Sequence, residues 1–217
     1  MIKFGPSGNS ESFIAEKHKS TVEAAEWCRE RDIDWYEYSF GRGVTVSDEK
    51  AEQIGAAFKR VGMGLSVHAP YFINFANEDE GKAANSYEYV LSSGQKAMKM
   101  QGERVVFHAA SQGKLSRANA VALTADRLKI LRDLIYERSL DGLKFCPETM
   151  GKLGQIGTIE EITEFCKIDA VYIPTVDFGH VNAREGGSLK TVNDYKSRLE
   201  YMIGELGYEK MRCFHVH

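Results

Sequence analysis

Seven short apolar runs of β type recur along the chain, separated by longer segments with helical periodicity. The runs are Ile2–Gly5 (IKFG), Trp35–Phe40 (WYEYSF), Leu65–Ala69 (LSVHA), Arg104–Ala110 (RVVFHAA), Leu143–Glu148 (LKFCPE), Val171–His180 (VYIPTVDFGH) and Met211–His217 (MRCFHVH). The amphipathic segments between them predict helices over Thr21–Arg31, Asp48–Val61, Lys82–Gln101, Arg117–Arg138, Thr158–Lys167 and Leu189–Leu206. Ser47 and Asp48 supply a start signal for the second helix, and Thr158 with Glu161 forms a T-x-x-E capping box. A strand every ~30–40 residues with a helix between is the spacing of βαβ units, and their unbroken succession predicts a parallel sheet.

Such a sheet is either doubly wound or closed into a (β/α)8 TIM barrel. The loop GPSGNS (Gly5–Ser10) matches neither the dinucleotide-binding fingerprint nor a P-loop, which favours the α/β barrel. One TIM-barrel domain over residues 1–217 is expected. Seven strands are present, and the chain stops on His217 inside the seventh. The expectation is therefore a C-terminally incomplete barrel whose first and seventh strands lack partners.

Charge and composition narrow the function classes only a little. The net charge of -3 gives no overall electrostatic footprint for nucleic acid. No run of eighteen apolar residues occurs, so no membrane partner is expected. The N-terminus has no basic stretch followed by an apolar one, unlike a signal peptide. Cys28, Cys146, Cys166 and Cys213 form no C-x-x-C pair and read as reduced thiols of a cytoplasmic protein.

The histidines change the picture more. His68, His108, His180, His215 and His217 all fall at predicted strand ends, and so do Glu148 and Asp177. In a (β/α)8 barrel the C-terminal strand ends meet at one mouth, so these side chains would converge. One strand-end histidine is more often a hydrogen-bonded structural residue than a ligand. Five of them with two acids point to a metal site, and imidazole plus carboxylate without thiolate suits zinc, manganese or iron.

The segments HAPYFINFAN, FHAAS, CPETMGKLGQ, VDFGH and CFHVH, in this order, resemble the endonuclease IV family of zinc-dependent abasic-site endonucleases. That family is related to the xylose isomerase-like sugar isomerases and epimerases. The resemblance implies a hydrolase of DNA repair that cleaves the phosphodiester 5′ to an abasic site, with up to three zinc ions. His68, His108 and Glu148 would hold the first metal. Glu148 would bridge to a second, shared with Asp177 and His215, and orient the nucleophile as the catalytic residue, while His180 would serve a third. Further family ligands lie beyond strand seven. The chain as it stands is thus expected to keep the first metal, hold the second weakly, lack a competent third and cleave poorly.

The resemblance also implies a monomer bound to duplex DNA at the abasic site. Arg42 would contact the DNA, and Tyr71 and Phe72 would act as wedges that hold the lesion open. From the residues alone, Tyr71 and Phe72 read rather as a cover over the barrel top after Pro70 ends its strand, and the resemblance reverses that reading. The alternative function on the same barrel is a sugar or sugar-phosphate isomerase or epimerase with one divalent metal and paired glutamates for proton transfer.

Overall fold

The computed structural model describes residues 2–217. Its strands are β1 (Trp35–Ser39), β2 (Gly64–His68), β3 (Arg104–Phe107), β4 (Ala110–Ser111), β5 (Lys144–Pro147), β6 (Gln155–Ile156), β7 (Thr175–Val176) and β8 (His215–Val216). Its helices are α1 (Glu11–Ala15), α2 (Thr21–Arg29), α3 (Asp48–Arg60), α4 (Glu80–Lys99), α5 (Arg117–Glu137), α6 (Ile159–Cys166), α7 (Phe178–Arg184), α8 (Val192–Leu206) and α9 (Tyr208–Met211). The larger helices start where the sequence signals them. The Ser47 side chain accepts from Lys50 N, and Thr158 and Glu161 close the expected capping box.

The wall is parallel and follows chain order. β1, β2, β3 and β5 form one sheet, and β7 pairs with β8. Parallel bridges Phe145–Tyr172 and Glu148–Thr175 join the two. The first predicted run is too irregular to count as a strand, yet it fills a stave: Asp34 N and Trp35 N donate to Phe4 O, and Glu37 N donates to Pro6 O. The short antiparallel pair β4–β6 ties two loops together beyond the ends of β3 and β5. No helix among the described residues is long and apolar enough to cross a membrane.

Strand alternation sorts the side chains into two sets. Tyr36, Leu65, Val67, Val105, Phe107 and Phe145 belong to the main apolar core between wall and helices. Their neighbours turn into the barrel, where Val106, Cys146 and Ile173 make a small apolar layer of their own. Below it Trp35 fills the barrel floor. A Cβ on Gly64 would lie 2.0 Å from the Trp35 ring, so the indole fits only because position 64 has no side chain. Its Nε1 donates to Ser66 Oγ at 3.0 Å.

The sixth predicted run departs from expectation. Only Thr175 and Val176 are strand; Asp177 then caps α7 by accepting from His180 N at 2.7 Å. His180 therefore stands in the first turn of a helix rather than at the end of a strand. The carboxylate captures the free N–H groups that a helix start exposes, and the chain turns there.

Gly55 of α3 tests the packing of the helical shell. A Cβ there would come within 2.4 Å of the Met100 carbonyl oxygen, which is backbone and cannot swing away. Helix propensity alone favours alanine by roughly 1 kcal/mol. Overpacking costs roughly 1–3 kcal/mol or more and is expected to win. Gly55→Ala should therefore lower the urea midpoint, and a rise would show that α3 and α4 are loosely held.

Candidate metal centre

Two carboxylates are buried inside the barrel. Glu148, at the C-terminal end of β5, is 2% exposed, and Glu37, in the middle of β1, is 3% exposed. Glu148 Oε2 lies 3.1 Å from both His68 Nε2 and His108 Nε2. Its other oxygen, Oε1, lies 3.1 Å from His217 Nδ1 and 3.5 Å from His180 Nδ1. Glu37 accepts from Ser7 Oγ on Oε1 and from Ser66 Oγ on Oε2, each at 3.0 Å. Its oxygens also lie 3.1 Å from His215 Nε2 and His217 Nε2. His217 thus has one ring nitrogen beside each carboxylate.

The supporting contacts orient the rings. His68 Nδ1 is 2.9 Å from the Ala69 carbonyl, which can only accept, so Nδ1 carries the proton and Nε2 faces Glu148. His180 Nδ1 donates to Thr149 O at 2.9 Å and lies 3.2 Å from Asp177 Oδ2. Backbone acceptors behind a ring are the usual means of holding a metal-ligating histidine.

Charge in this interior is balanced by imidazoles. Burial pushes the Glu148 carboxyl up, but its bonds to His108, His180, His217 and His68 outweigh burial and hold it far below the usual carboxylate range. Glu37 behaves alike: burial is outweighed by His215 and His217. Burial draws His217 down, yet the two carboxylates push it up to about 10. His68 is raised for the same reason, Glu148 overcoming burial. His180 is raised chiefly by Glu148. His215 is lowered, because burial exceeds what Glu37 restores.

The donor set fits a divalent transition ion. Ligand atoms of His68, Glu148 and His217 lie within 4.8 Å of one another, and so do those of Glu148, Asp177 and His180. His217 Nε2 and Thr175 Oγ1 are buried without any hydrogen bond, as expected of groups awaiting a further partner.

His68, His108, Glu148, Asp177 and His180 meet at the mouth as a group. His215 does not join Asp177; it points to Glu37, and His217 takes the place beside Glu148. The cause is strand geometry: residues 215 and 217 share a face, but one two-residue step sets His215 about 7 Å deeper. Tyr71 is half exposed, with ring centroids 6.2 Å from His108 and 6.5 Å from His68, so it lines the mouth. Phe72 is as exposed as Tyr71 but leans toward Tyr89 of α4, at 6.4 Å between centroids. Arg42 is exposed on the loop after β1, which Tyr71 N joins by donating to Gly41 O. Glu37, Ser7 and Ser66 were not singled out in the sequence. The signal was there for Glu37, the one charged residue in WYEYSF and on the same face as Trp35.

A family model for the xylose isomerase-like TIM barrel matches residues 25–217. The chain belongs to that family. It is 26% identical to an uncharacterised protein of Methanocaldococcus jannaschii, over all of this chain and 76% of that one. The fold matches the 3-keto-D-glucoside 4-epimerase of E. coli with a TM-score of 0.73 at 16% identity, covering 100% of this chain and 78% of the other. Endonuclease IV of Thermus thermophilus matches with a TM-score of 0.64 at 17% identity, covering 95% and 72%.

These relatives overturn the expected DNA-cleaving zinc phosphodiesterase. Family membership extends to the barrel and no further towards endonuclease IV, while D-psicose and L-ribulose 3-epimerases align over nearly the whole chain with TM-scores of 0.72 and 0.71. In the structure His215 also lies apart from the ligand set drawn from the nuclease resemblance, beside Glu37.

Two outcomes are expected for metal binding at Glu148. Glu148→Gln should weaken uptake of Mn²⁺ or Zn²⁺ by at least the ~10–100-fold seen for loss of an outer partner, with the far-ultraviolet spectrum unchanged. Because His68 and His217 are raised, their rings carry protons in the metal-free chain, and a metal must displace those protons. Apparent affinity should therefore keep rising as pH climbs above the ordinary imidazole range toward about 10, where His217 loses its proton, with proton release visible as a buffer-dependent heat in calorimetry. A flat profile would mean that the imidazoles are already neutral.

Proposed function

We propose that the chain is a divalent-metal-dependent epimerase or isomerase of a sugar or sugar phosphate. The observation that carries this reading is the asymmetric engagement of Glu148. Oε2 is tied to His68 and His108 within the barrel, while Oε1 stands between His217, at 3.1 Å, and His180, at 3.5 Å, the most exposed imidazole of the group. With one oxygen toward the mouth, this carboxylate would be placed to take a proton from a carbon next to a carbonyl once a bound metal has displaced the protons of its imidazole partners. Several proteins that share the fold are sugar epimerases by name.

Epimerisation and isomerisation both need a base, a way to return the proton, and relief of the negative charge that develops on oxygen. His68, His108 and Glu148 would hold a divalent cation, which when bound supplies Lewis-acid polarisation of a substrate oxygen. Glu148 Oε1 accepts the carbon-bound proton. His180, raised by Glu148 and fixed by Asp177 and Thr149 O, donates a hydrogen bond or a proton from its remaining ring edge. Tyr71 offers the apolar face on which a sugar ring or chain rests, in keeping with pockets that combine aromatic walls with a few polar groups. The overall charge of -3 suits a small neutral or metal-bridged substrate better than a polyanion.

The test is solvent exchange. Metal-loaded protein incubated with a panel of ketoses and ketose phosphates in heavy water should place deuterium on the carbon next to the carbonyl, with a new epimer or isomer seen by NMR. Glu148→Gln should lower that rate by on the order of 10²–10⁴. Tyr71→Ala should raise KM several-fold with metal content intact. Fully metallated protein that exchanges no proton in any member of the panel would sink the reading.

A further inference from the structure

Beyond the substrate reading, and independent of it, we infer that Glu37, His215 and His217 form a second binding site for a divalent first-row transition ion, one layer deeper in the barrel than the Glu148 centre. The three residues bring their ligand atoms within 4.8 Å of one another. Two imidazoles and one carboxylate are a donor set that binds zinc, iron or manganese and leaves positions open.

Three features support it. The first is distance. Donors about 2.0–2.2 Å from one ion and roughly at right angles to each other stand about 3 Å apart. Both ring nitrogens are 3.1 Å from Glu37, His215 Nε2 from Oε2 and His217 Nε2 from Oε1. The second is the state of His217 Nε2, which is buried and makes no hydrogen bond although Glu37 is that close. The in-plane direction of this nitrogen is met by no ordinary hydrogen-bond partner. The third is the support behind the carboxylate. Ser7 and Ser66 each donate to Glu37 at 3.0 Å, and Trp35 Nε1 donates to Ser66 in turn. Outer partners of this kind fix a ligating carboxylate.

His217 links the two centres. Its Nδ1 faces Glu148 Oε1 and its Nε2 faces Glu37 Oε1, each at 3.1 Å. The competing arrangement is a plain hydrogen bond from His215 to Glu37. Arg104 Nη1 lies 3.5 Å from His215 Nδ1, and a firm bond there would keep the proton on Nε2 and exclude a metal.

Counting metal decides between them. The chain is loaded with Co²⁺, dialysed, and measured by mass spectrometry of the metal and by visible absorption. The wild type should hold two equivalents. Glu37→Gln and His215→Ala should each hold one and lose part of the visible band, while Glu148→Gln should keep the one bound at Glu37. Circular dichroism identifies any variant that fails to fold, and the two independent substitutions at the deep site guard against losing one of them. A single equivalent in the wild type, unchanged by Glu37→Gln or His215→Ala, would overturn the proposal. Folded variants of both kinds that lose all metal would also overturn it, since Glu37 and His215 would then belong to one shared centre. Loss of metal only in Glu148→Gln would leave the substrate reading standing and remove the deep site.

Discussion

The interior of this barrel is organised by the need to accommodate two buried carboxylates. An isolated carboxylate withdrawn from water is strongly penalised, so each must be matched by hydrogen-bond donors or positive charge. Glu148 is matched by four imidazoles drawn from β2, β8, the loop after β3 and the first turn of α7. Those residues lie 32 to 80 positions from Glu148 in the chain, and only the parallel wall of the barrel brings them to one point. The fold and the centre are therefore one problem: the βαβ repeat supplies the convergence, and the carboxylate fixes the orientation of what converges.

Glu37 extends the same logic downward. A line runs from the barrel floor to His215 and His217: Trp35 donates to Ser66, Ser66 donates to Glu37, and the Glu37 carboxylate faces the two imidazoles. Gly64 makes room for the indole that starts it. Apolar Val106, Cys146 and Ile173 form a separate layer inside the barrel beside these polar groups. A dry wall beside a polar sector lowers the local dielectric and strengthens the interactions at the centre.

Much of this was legible in the sequence. Seven β-type runs at βαβ spacing carry the architecture, and strand-end His68, His108 and Glu148 mark the mouth, because parallel barrels place all strand ends together. What was not legible depends on depth and on turns. Glu37 lies mid-strand, and nothing in WYEYSF says how far the barrel narrows there. Asp177 reads as the end of a strand until its side chain is seen to cap α7, and this moves His180 to a helix. Tyr71 and Phe72 are adjacent in sequence but diverge, one toward the imidazoles and one onto α4. The nuclease expectation arose because the motifs shared across the family describe its metal-bearing barrel, and a barrel does not specify its reaction.

The account turns on Glu148 being a metal centre. The most direct measurement is anomalous diffraction at the Mn or Zn absorption edge from crystals of metal-loaded protein. The account predicts a peak about 2.0–2.2 Å from Glu148 Oε2 and from the Nε2 atoms of His68 and His108. Fully loaded crystals with no anomalous peak near Glu148, and with its oxygens bonded only to protonated imidazoles, would contradict it.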